Sequence, residues 1–281
     1  MSDSQIGKRI VILGGGTAGW ITANAMINSW ADKGYEITLI ESPEVGTVGV
    51  GEGSTPRMKI FFDSIGVQES EWMPRCNATY KNGISFANWS TRPGFDRYFH
   101  PFSSQLDRYT KTAFYFNTYA RRMGIDVHAH PNRFFLAAKL SENRQAPRPN
   151  ENFPFIVEYG YHFDAKLVGD FLKERAKSLG VRHIEAKIVD VRQSADGNIT
   201  KLLSDAEETI EGDFFVDCSG FRGALIQKTM GVWFRSFAEN LFNDSAVVLP
   251  TEPRDEIGSQ TVSTALKNGW VWEIPLTHLI G

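Results

Sequence analysis

The pattern of apolar and polar positions in the first forty residues predicts a β-α-β unit. Arg9 to Leu13 form a short, continuously apolar run, which is typical of a strand buried on both faces. A second strand-like run, Glu36 to Ile40, ends on the acidic residue Glu41. Between the two strands apolar residues recur at helical spacing, and the predicted apolar positions of this helix are Ile21, Ala25, Met26 and Trp30.

A glycine-rich turn, Gly14-Gly15-Gly16-Thr17-Ala18-Gly19, joins the first strand to the helix. It fits the G-x-G-x-x-G pattern of dinucleotide-binding proteins, and Glu41 follows roughly 20 residues later, as that pattern requires. The first glycine allows a tight turn, the second lets backbone N–H groups approach a pyrophosphate, and the third lets the helix lie close to the strand. Glu41 can accept hydrogen bonds from a ribose. The sequence therefore predicts a dinucleotide site, with contacts from Gly14, Gly16, Thr17, Ala18, Gly19 and Glu41, against the simpler interpretation of a plain strand–helix turn.

A second glycine-rich segment runs from Ser42 to Pro56 and contains Gly46, Gly49, Gly51 and Gly53. Glycines in this position favour a backbone folded closely against a flat ligand, and a flexible surface loop is the alternative. Thr55 and Pro56 then predict an N-cap and first position of a helix that continues through Phe61, Phe62 and Ile65.

The second half of the chain predicts another helix followed by several strands. Asp164 is a candidate N-cap, and Gly180 suits the end of the helix. The predicted apolar face of this helix consists of Leu167, Val168, Phe171, Leu172 and Leu179. The predicted strands are a run from Gly83 onward, His183 to Ala186, Lys187 to Gln193, Ile199 to Ser204 after the turn pair Asp196-Gly197, and a buried strand from Asp213 that ends at Gly220.

This order of elements is that of FAD-dependent oxidoreductases of the hydroxylase type. The predicted fold class is α/β, a Rossmann-like FAD-binding fold of the flavin monooxygenase/hydroxylase type with an inserted antiparallel sheet. We expect two interleaved parts, residues 1–75 with 160–235 for dinucleotide binding and residues 76–159 with 236–281 for a substrate-side sheet. The analogy implies the cofactor and leaves the reaction open.

Composition and charge exclude several classes of function. Of the 281 residues 42% are hydrophobic and 22% charged, which is ordinary for a globular protein with a core. A net charge of −3 gives no electrostatic footprint for nucleic acid or an anionic membrane. No apolar run reaches the roughly 18 residues of a membrane span, and the polar start is unlike a signal peptide, so we expect a cytoplasmic protein. Cys76 and Cys218 form no C-x-x-C pair; we interpret Cys218 as a buried structural thiol and predict no metal site.

Two further features remain open on spacing alone. The stretch from Phe95 to Tyr119 is unusually aromatic, and its rings suit both a core and a clamp for a planar substrate. Lys81 precedes the strand that starts at Gly83, and its spacing favours a solvated surface charge. The polar stretch from Ser141 to Asn150 predicts an exposed excursion.

Several stretches together resemble the flavin-dependent tryptophan halogenases. These are Gly14 to Trp20, Val48 to Pro56, Tyr161-His162-Phe163-Asp164, and Trp270-Val271-Trp272-Glu273-Ile274-Pro275. The last stretch matches the W-x-W-x-I-P motif, at Trp270, Trp272, Ile274 and Pro275, which distinguishes that family from the flavin monooxygenases. The similarity runs along essentially the whole chain.

The resemblance implies a chemistry and a set of residues. In the family, FAD is reduced by a separate flavin reductase and reacts with oxygen to a C4a-hydroperoxide, and chloride or bromide attacks it to give hypohalous acid. The acid reaches a lysine beside an electron-rich aromatic substrate such as tryptophan or an indole. Lys81 occupies the position of that lysine, and His100 and Phe102 resemble the substrate-stacking residues. Val50, Gly51, Glu52 and Val189 join the implied cofactor contacts.

The sequence also departs from the family. Gly53-Ser54 stand where many members have Ala-Thr, which indicates a subgroup whose substrate need not be free tryptophan. Family members continue past the tryptophan motif with a region that supplies a catalytic glutamate, so we expect this chain to be a fragment or a truncated product. The alternatives are an aromatic monooxygenase and a non-catalytic FAD-binding protein. The expected partners are the reductase and a small aromatic molecule, with no nucleic acid or membrane; a homodimer is left open.

Overall fold

The computed structural model describes residues 8–46 and 51–281 and divides the chain into two compact units. The first unit combines Met1–Gly49 with Ala165–Phe242, and the second combines Val50–Asp164 with Asn243–Gly281. Residues 50–75 therefore belong to the second unit, whereas the sequence assigned them to the dinucleotide-binding part. The role of these residues in dinucleotide binding stays a prediction.

The regular elements, apart from short 3₁₀ and π turns, are fourteen strands and six helices in the part of the chain that the structure describes. In chain order the strands are β1 (Arg9–Leu13), β2 (Glu36–Glu41), β3 (Gly51–Gly53), β4 (Thr79–Lys81), β5 (Gly83–Ala87), β6 (Arg97–Pro101), β7 (Gly160–Asp164), β8 (Arg182–Glu185), β9 (Ile188–Gln193), β10 (Ile199–Ser204), β11 (Thr209–Glu211), β12 (Phe214–Asp217), β13 (Thr261–Leu266) and β14 (Gly269–Glu273). The helices are α1 (Thr17–Trp30), α2 (Arg57–Ser64), α3 (Glu69–Trp72), α4 (Arg108–Arg122), α5 (Leu136–Glu142) and α6 (Ala165–Ser178).

The first unit is built on a parallel sheet with the strand order β12-β1-β2-β8. The apolar run predicted as a two-face-buried strand is β1, which lies between β12 and β2 and is buried after Arg9. The strand predicted from Asp213 is β12, which pairs with β1 at the edge of the sheet. It was expected to be buried and is only half buried, with Phe214 59% exposed. A smaller antiparallel sheet, β11-β10-β9, adds an apolar cluster that contains Leu202 and Ile210.

Helices α1 and α6 pack against each other through a buried polar contact. The Asn24 side-chain amide donates to the carbonyl oxygens of Trp20 and Leu172, both at 2.8 Å, and its oxygen accepts from Arg175 at 2.9 Å. The buried face of α1 is formed by Gly19, Trp20, Ala23, Asn24 and Ile27. The apolar positions noted in the sequence lie beside this face, with Ile21, Met26 and Trp30 half-buried and Ala25 exposed, because Asn24 is satisfied across the helix pair and carries its own face inward.

Two sheets organise the second unit. One has the order β14-β13-β5-β6, with β13 and β5 parallel and the other neighbours antiparallel. The other is the antiparallel sheet β3-β7-β4, in which Gly53, His162 and Thr79 form one cross-strand row. Because side chains alternate along a strand, Thr79 and Lys81 lie on one face of this sheet and Tyr80 on the other.

The face of the β3-β7-β4 sheet that carries Tyr80 is anchored on one carboxylate. Tyr80, Tyr159 and Tyr161 donate their phenol protons to Glu69 at 2.9, 2.7 and 2.8 Å. Burial and then the Glu69 charge raise the pKa of all three phenols. The bonds tie β4 and β7 to α3, where Trp72 packs edge-on against Tyr161.

The aromatic stretch from Phe95 to Tyr119 divides between core and surface. Phe99 of β6 is buried with Ala137 and Ala138 of α5. Helix α4 has no buried residue, and Tyr109, Tyr115, Phe116 and Tyr119 are exposed on it. Among the residues that the structure describes, no helix combines the length and the apolar character needed to cross a membrane.

The tyrosine cluster predicts the alkaline stability of the protein. A tyrosine whose folded pKa is raised contributes stability that is complete below about pH 10 and is lost as the pH rises further, because the unfolded phenol then ionises first. We expect the free energy of unfolding to fall above about pH 10, by about 1.4 kcal/mol per pH unit for each such tyrosine. In Tyr159→Phe the free energy of unfolding should fall less steeply, by about 1.4 kcal/mol per pH unit. Urea unfolding measured at several pH values above 10 gives both slopes.

The exposed Tyr109→Phe is the matched control and should leave the slope unchanged. Equal slopes for the native protein and Tyr159→Phe would contradict the role given to this phenol.

Candidate functional site

The first and last glycines of the glycine-rich turn are fixed by contacts within the first unit. Gly14 has a φ of +121°, and a Cβ there would lie 2.1 Å from the carbonyl oxygen of Cys218. A Cβ on Gly19 would lie 1.9 Å from the carbonyl oxygen of Gly14. Both positions therefore need glycine for the close approach of backbone to backbone. Cys218, predicted as buried, is half-buried.

Gly16 differs, because a Cβ there would meet no protein atom within 4 Å. It is the N-cap residue of α1 in an extended conformation, no side chain caps the helix, and the first turn contains no acidic residue. The N–H groups and the partial positive charge of the helix terminus are thus not neutralised by a capping side chain. An open space at such a terminus fits the pyrophosphate of a dinucleotide. Of the two next predicted contacts, Ala18 is exposed and Thr17 donates its hydroxyl to the Ala165 carbonyl at 3.2 Å.

Glu41 lies over the same turn. A Cβ on Gly15 would be 1.8 Å from its Oε2. Its Oε1 accepts from His183 Nε2 at 2.8 Å and from the Lys173 ammonium. Periodicity gave no signal for these two donors, since His183 is brought in by strand pairing and Lys173 by a helix far along the chain. A ribose hydroxyl could share this carboxylate with them.

The same corner holds a group of possible metal ligands. Ligand atoms of Glu41, His183 and Glu185 lie within 4.8 Å of one another. The Lys173 ammonium contacts the carboxylates of Glu41 and Glu185, the latter at 3.7 Å. It therefore places a positive charge among these ligand atoms. Burial, then the Lys173 charge, lowers the pKa of His183.

The remaining predicted cofactor contacts are spread over both units. Val189 lies on β9 of the first unit with an exposed side chain. Gly51 and Glu52 lie on β3 of the second unit, and burial raises the pKa of Glu52. Val50 lies outside the described residues. The cofactor roles of these four residues stay predictions.

Lys81 is buried in the second unit, at the end of β4, and is only 4% exposed. Its Nζ lies 5.9 Å from the ring centre of Phe102, and a Cβ on Gly53 would come within 2.8 Å of it. Among the described residues, no hydrogen bond or ion pair to this Nζ is found. The interpretation of a solvated charge, drawn from spacing alone, is therefore wrong. Burial lowers the pKa of Lys81 to about 8, so amine and ammonium are both available near neutral pH.

A hydrogen-bonded chain runs beside Lys81. Thr79 Oγ1 donates to the carbonyl oxygen of Pro275 at 2.6 Å and lies 3.1 Å from His162 Nδ1. His162 Nε2 lies 2.9 Å from Thr261 Oγ1. The His162 side chain is completely buried, and burial followed by the charge of Lys81 lowers its pKa well below the usual value. Sequence reasoning used His162 only as part of a resembling stretch and missed Thr79 and Thr261, whose contacts depend on strand pairing.

The last residue of the tryptophan motif, Pro275, accepts a hydrogen bond from this series of side chains. Trp270 and Trp272 lie on the edge strand β14 with exposed rings, 6.0 Å apart between centres. Ile274 and Pro275 are buried, and the Pro275 carbonyl is the acceptor for Thr79. Pro275, at the apolar end of the motif, is thus linked through Thr79 to the strand that carries Lys81.

The two predicted substrate-stacking residues have different environments. Phe102 is half-buried, and its backbone N–H donates to the Asn82 carbonyl at 3.1 Å. The centre of its ring lies 5.9 Å from Lys81 Nζ. His100 lies on β6, paired with Ile84, and its side chain is exposed. A stacking role for either residue stays a prediction.

Comparison with known proteins adds an independent line of evidence. The family model described as tryptophan halogenase matches residues 9–281. Tryptophan 7-halogenase RebH of Lentzea aerocolonigenes is 35% identical over 97% of this chain and 54% of its own length. Tryptophan 6-halogenase SttH of Streptomyces toxytricini is 35% identical over 97% of this chain and 56% of its own. The chain spans about half the length of the curated relatives it matches.

Solved structures agree with this result. Xcc4156, a flavin-dependent halogenase from Xanthomonas campestris, superposes with a TM-score of 0.84 at 35% identity, over 99% of this chain and 55% of that one. The structure of SttH gives a TM-score of 0.82 at 34% identity, over 99% of this chain and 57% of that one. The predicted α/β fold of the FAD-binding type is confirmed.

The buried lysine predicts an unusual dependence of stability on pH. The pKa falls from 10.5 to about 8 on folding, which corresponds to about 3 kcal/mol of destabilisation while both states are protonated. This cost is complete below about pH 8 and disappears as the pH rises towards 10.5, because the folded lysine is then already neutral. We expect Lys81→Met to raise the free energy of unfolding by up to about 3 kcal/mol at pH 7, with a smaller gain at pH 10.

Urea unfolding at both pH values measures this gain. The exposed Lys267→Met is the matched control and should change stability by less than about 0.5 kcal/mol. A Lys81→Met protein less stable than the native one at pH 7 would show that the ammonium has a stabilising partner.

Proposed function

Because this chain belongs to the tryptophan halogenase family, we propose that it binds FAD and takes part in the halogenation of an electron-rich aromatic ring, of the tryptophan or indole type, with Lys81 as the catalytic group. The observation that carries the proposal is the buried ammonium of Lys81, which has no hydrogen bond or ion pair among the described residues. A fold rarely keeps an unpaired buried charge for stability, and perturbed groups of this kind are concentrated at functional sites.

The glycine-rich turn supports the cofactor part of the proposal. The space in front of Gly16 and the uncapped N-terminus of α1 suit the pyrophosphate, and Glu41 suits a ribose. FAD, reduced by a separate flavin reductase that we take as a diffusing partner, would supply the electrons by which oxygen and chloride or bromide give hypohalous acid. The residues of this turn would hold the cofactor and take no part in bond making.

Lys81 would act by position and charge. As an ammonium it can donate a hydrogen bond to hypohalous acid and polarise it, and as an amine it can take up the halogen and pass it on. Its burial on the face of the β3-β7-β4 sheet restricts water at the reacting atom, which protects an oxidant that water would carry away. The Phe102 ring, 5.9 Å from Nζ, offers an apolar surface for the substrate ring.

Insertion of oxygen is the competing reaction for a flavin protein. An aromatic monooxygenase has no need of a buried amine that accepts a halogen, so the Lys81 environment favours halogenation. With flavin reductase, oxygen, bromide and an indole supplied, a brominated product supports the proposal, and a hydroxylated product formed with and without bromide overturns it. We place the reaction in the cytoplasm. The halogenation assay gives the same distinction for a monomer and for a homodimer.

FAD binding should depend on the absence of a side chain at Gly16. Since a Cβ there meets no protein atom and the backbone is extended, Gly16→Val should fold normally and yet obstruct the pyrophosphate. We expect its affinity for FAD to fall at least about tenfold, or about 1.4 kcal/mol, in a titration followed by flavin fluorescence.

Gly258→Val provides the control, because a Cβ there also meets nothing within 4 Å and the residue lies outside the turn. If Gly16→Val binds FAD as tightly as this control does, the cofactor does not lie at the glycine-rich turn.

Halogen transfer should depend on Lys81, whereas oxygen consumption should not. In the protein that carries this sequence, Lys81→Ala removes the group that aims the halogen and leaves the glycine-rich turn intact. We expect at least about a hundredfold loss of halogenated product with oxygen uptake continuing, measured by mass spectrometry and an oxygen electrode.

Lys267→Ala, a change at an exposed lysine, should keep both rates. Undiminished product from Lys81→Ala would exclude the lysine from the reaction, even if FAD binding and halogenation were both established.

A further inference from the structure

We propose that His162 is a positioning residue for Lys81, held as the neutral Nδ1–H tautomer by a relay that runs from the Pro275 carbonyl through Thr79 to Thr261. The inference deepens the proposed function by naming what sets the lysine in place. Its first test concerns the tautomer alone and does not depend on that function.

The direction of each hydrogen bond in the relay follows from the chemistry of its ends. A carbonyl oxygen only accepts, so the 2.6 Å contact uses the single hydroxyl proton of Thr79 on Pro275. Thr79 Oγ1 must then accept from His162 Nδ1, 3.1 Å away, and this nitrogen carries the proton. In a neutral imidazole the other nitrogen is an acceptor, so Thr261 donates its hydroxyl proton to Nε2 across 2.9 Å.

The relay also keeps His162 neutral. A second proton would have to sit on Nε2, where it would meet the proton that Thr261 donates. It would also place a second cation beside Lys81, inside a region where burial already disfavours charge on both residues. Of these two residues, Lys81 is therefore the one that changes its charge near neutral pH.

The groups of the relay converge on the position of the ammonium. A Cβ on Gly53 would lie 2.8 Å from Lys81 Nζ, 3.3 Å from Thr261 Oγ1 and 3.5 Å from His162 Cδ2. Strand register explains this, because Gly53 and His162 are directly opposite each other and Lys81 pairs two residues further along β7, with Gly160, on the same face. The ring edge of His162 and the Thr261 hydroxyl thus border the space that the ammonium occupies.

The relay orients Thr261 as well as the ring. Because the Thr261 proton points to Nε2, the lone pairs of its oxygen are left for the space above Gly53 that holds the ammonium. In the opposite tautomer Nε2–H would donate to Thr261, and the hydroxyl proton of Thr261, no longer held by the ring, would be free to turn towards the lysine. We expect the opposite tautomer to lower the pKa of Lys81 further and to impair its aim.

The first experiment reads the tautomer directly. The protein is labelled with ¹⁵N-histidine, and the signals of His162 are assigned among the six histidines by their absence from His162→Gln. At pH 7 we expect a protonated Nδ1 and an unprotonated Nε2. An Nε2–H tautomer, or a protonated ring, overturns the proposal whatever the activity of the protein.

The second experiment tests the effect on Lys81. Thr79→Val removes both the acceptor for Nδ1–H and the bond to Pro275, while Thr264→Val removes a hydroxyl from the same strand as Thr261 but outside the relay. The titration of Lys81 is followed by ¹³Cε-lysine signals assigned with Lys81→Met. We expect the midpoint, about 8 in the native protein and in Thr264→Val, to fall by about half a pH unit or more in Thr79→Val.

A merely structural role would lower the stability of Thr79→Val and leave the Lys81 midpoint unchanged, and that result would overturn the proposal. In the halogenation assay the same variant should lose kcat with little change in KM, because the aim of the lysine is altered and the substrate surface is not. A change confined to KM would count against the inference without touching the assignment of the reaction.

Discussion

The second unit is constrained by the burial of one positive charge without a counter-charge among the described residues. Lys81 enters from β4, and its ammonium rests over a strand position that has no side chain, Gly53. The opposite face of the same sheet shows the reverse arrangement, with a carboxylate, Glu69, satisfied by three phenols. On one face a carboxylate accepts three hydrogen bonds that stabilise the sheet, and the other face gives up stability at a single reactive group. This division allows an unfavourable charge to persist in an ordered place.

The first unit follows a different constraint, the close approach of backbone to backbone. Gly14 and Gly19 have no room for a Cβ because the turn, α1 and the segment after β12 touch one another, whereas Gly16 faces open space. The same short motif thus contains two glycines that serve the fold and one that, on our proposal, leaves room for the cofactor. The pattern G-x-G-x-x-G does not distinguish these roles, and the contacts of each glycine do.

Local pattern predicted the parts of this fold that local chemistry dictates. The strand β1, the turn after it and the β2 strand ending on Glu41 were all evident, because a continuous apolar run followed by glycines has few other solutions. The buried face of α1 was not evident from its apolar positions, since Asn24 counts as polar until its partners on α6 are known. Lys81 also looked solvated, because the residues that bury it are distant from it in the sequence. Its environment is made by residues up to two hundred positions away, such as Pro275 acting through Thr79, and only the family resemblance pointed to it.

The absence of a side chain at position 53 couples this position to Lys81. A Cβ there would lie 2.8 Å from Lys81 Nζ, closer than non-bonded atoms normally approach, so the end of the lysine would have to shift. An alanine at position 53 would therefore act on the position of the cation as well as on the strand, and its effect depends on how far the lysine can yield. Swapping residues among homologous enzymes at this point should be done in pairs, since a single exchange changes where the charge lies as well as which side chain is present.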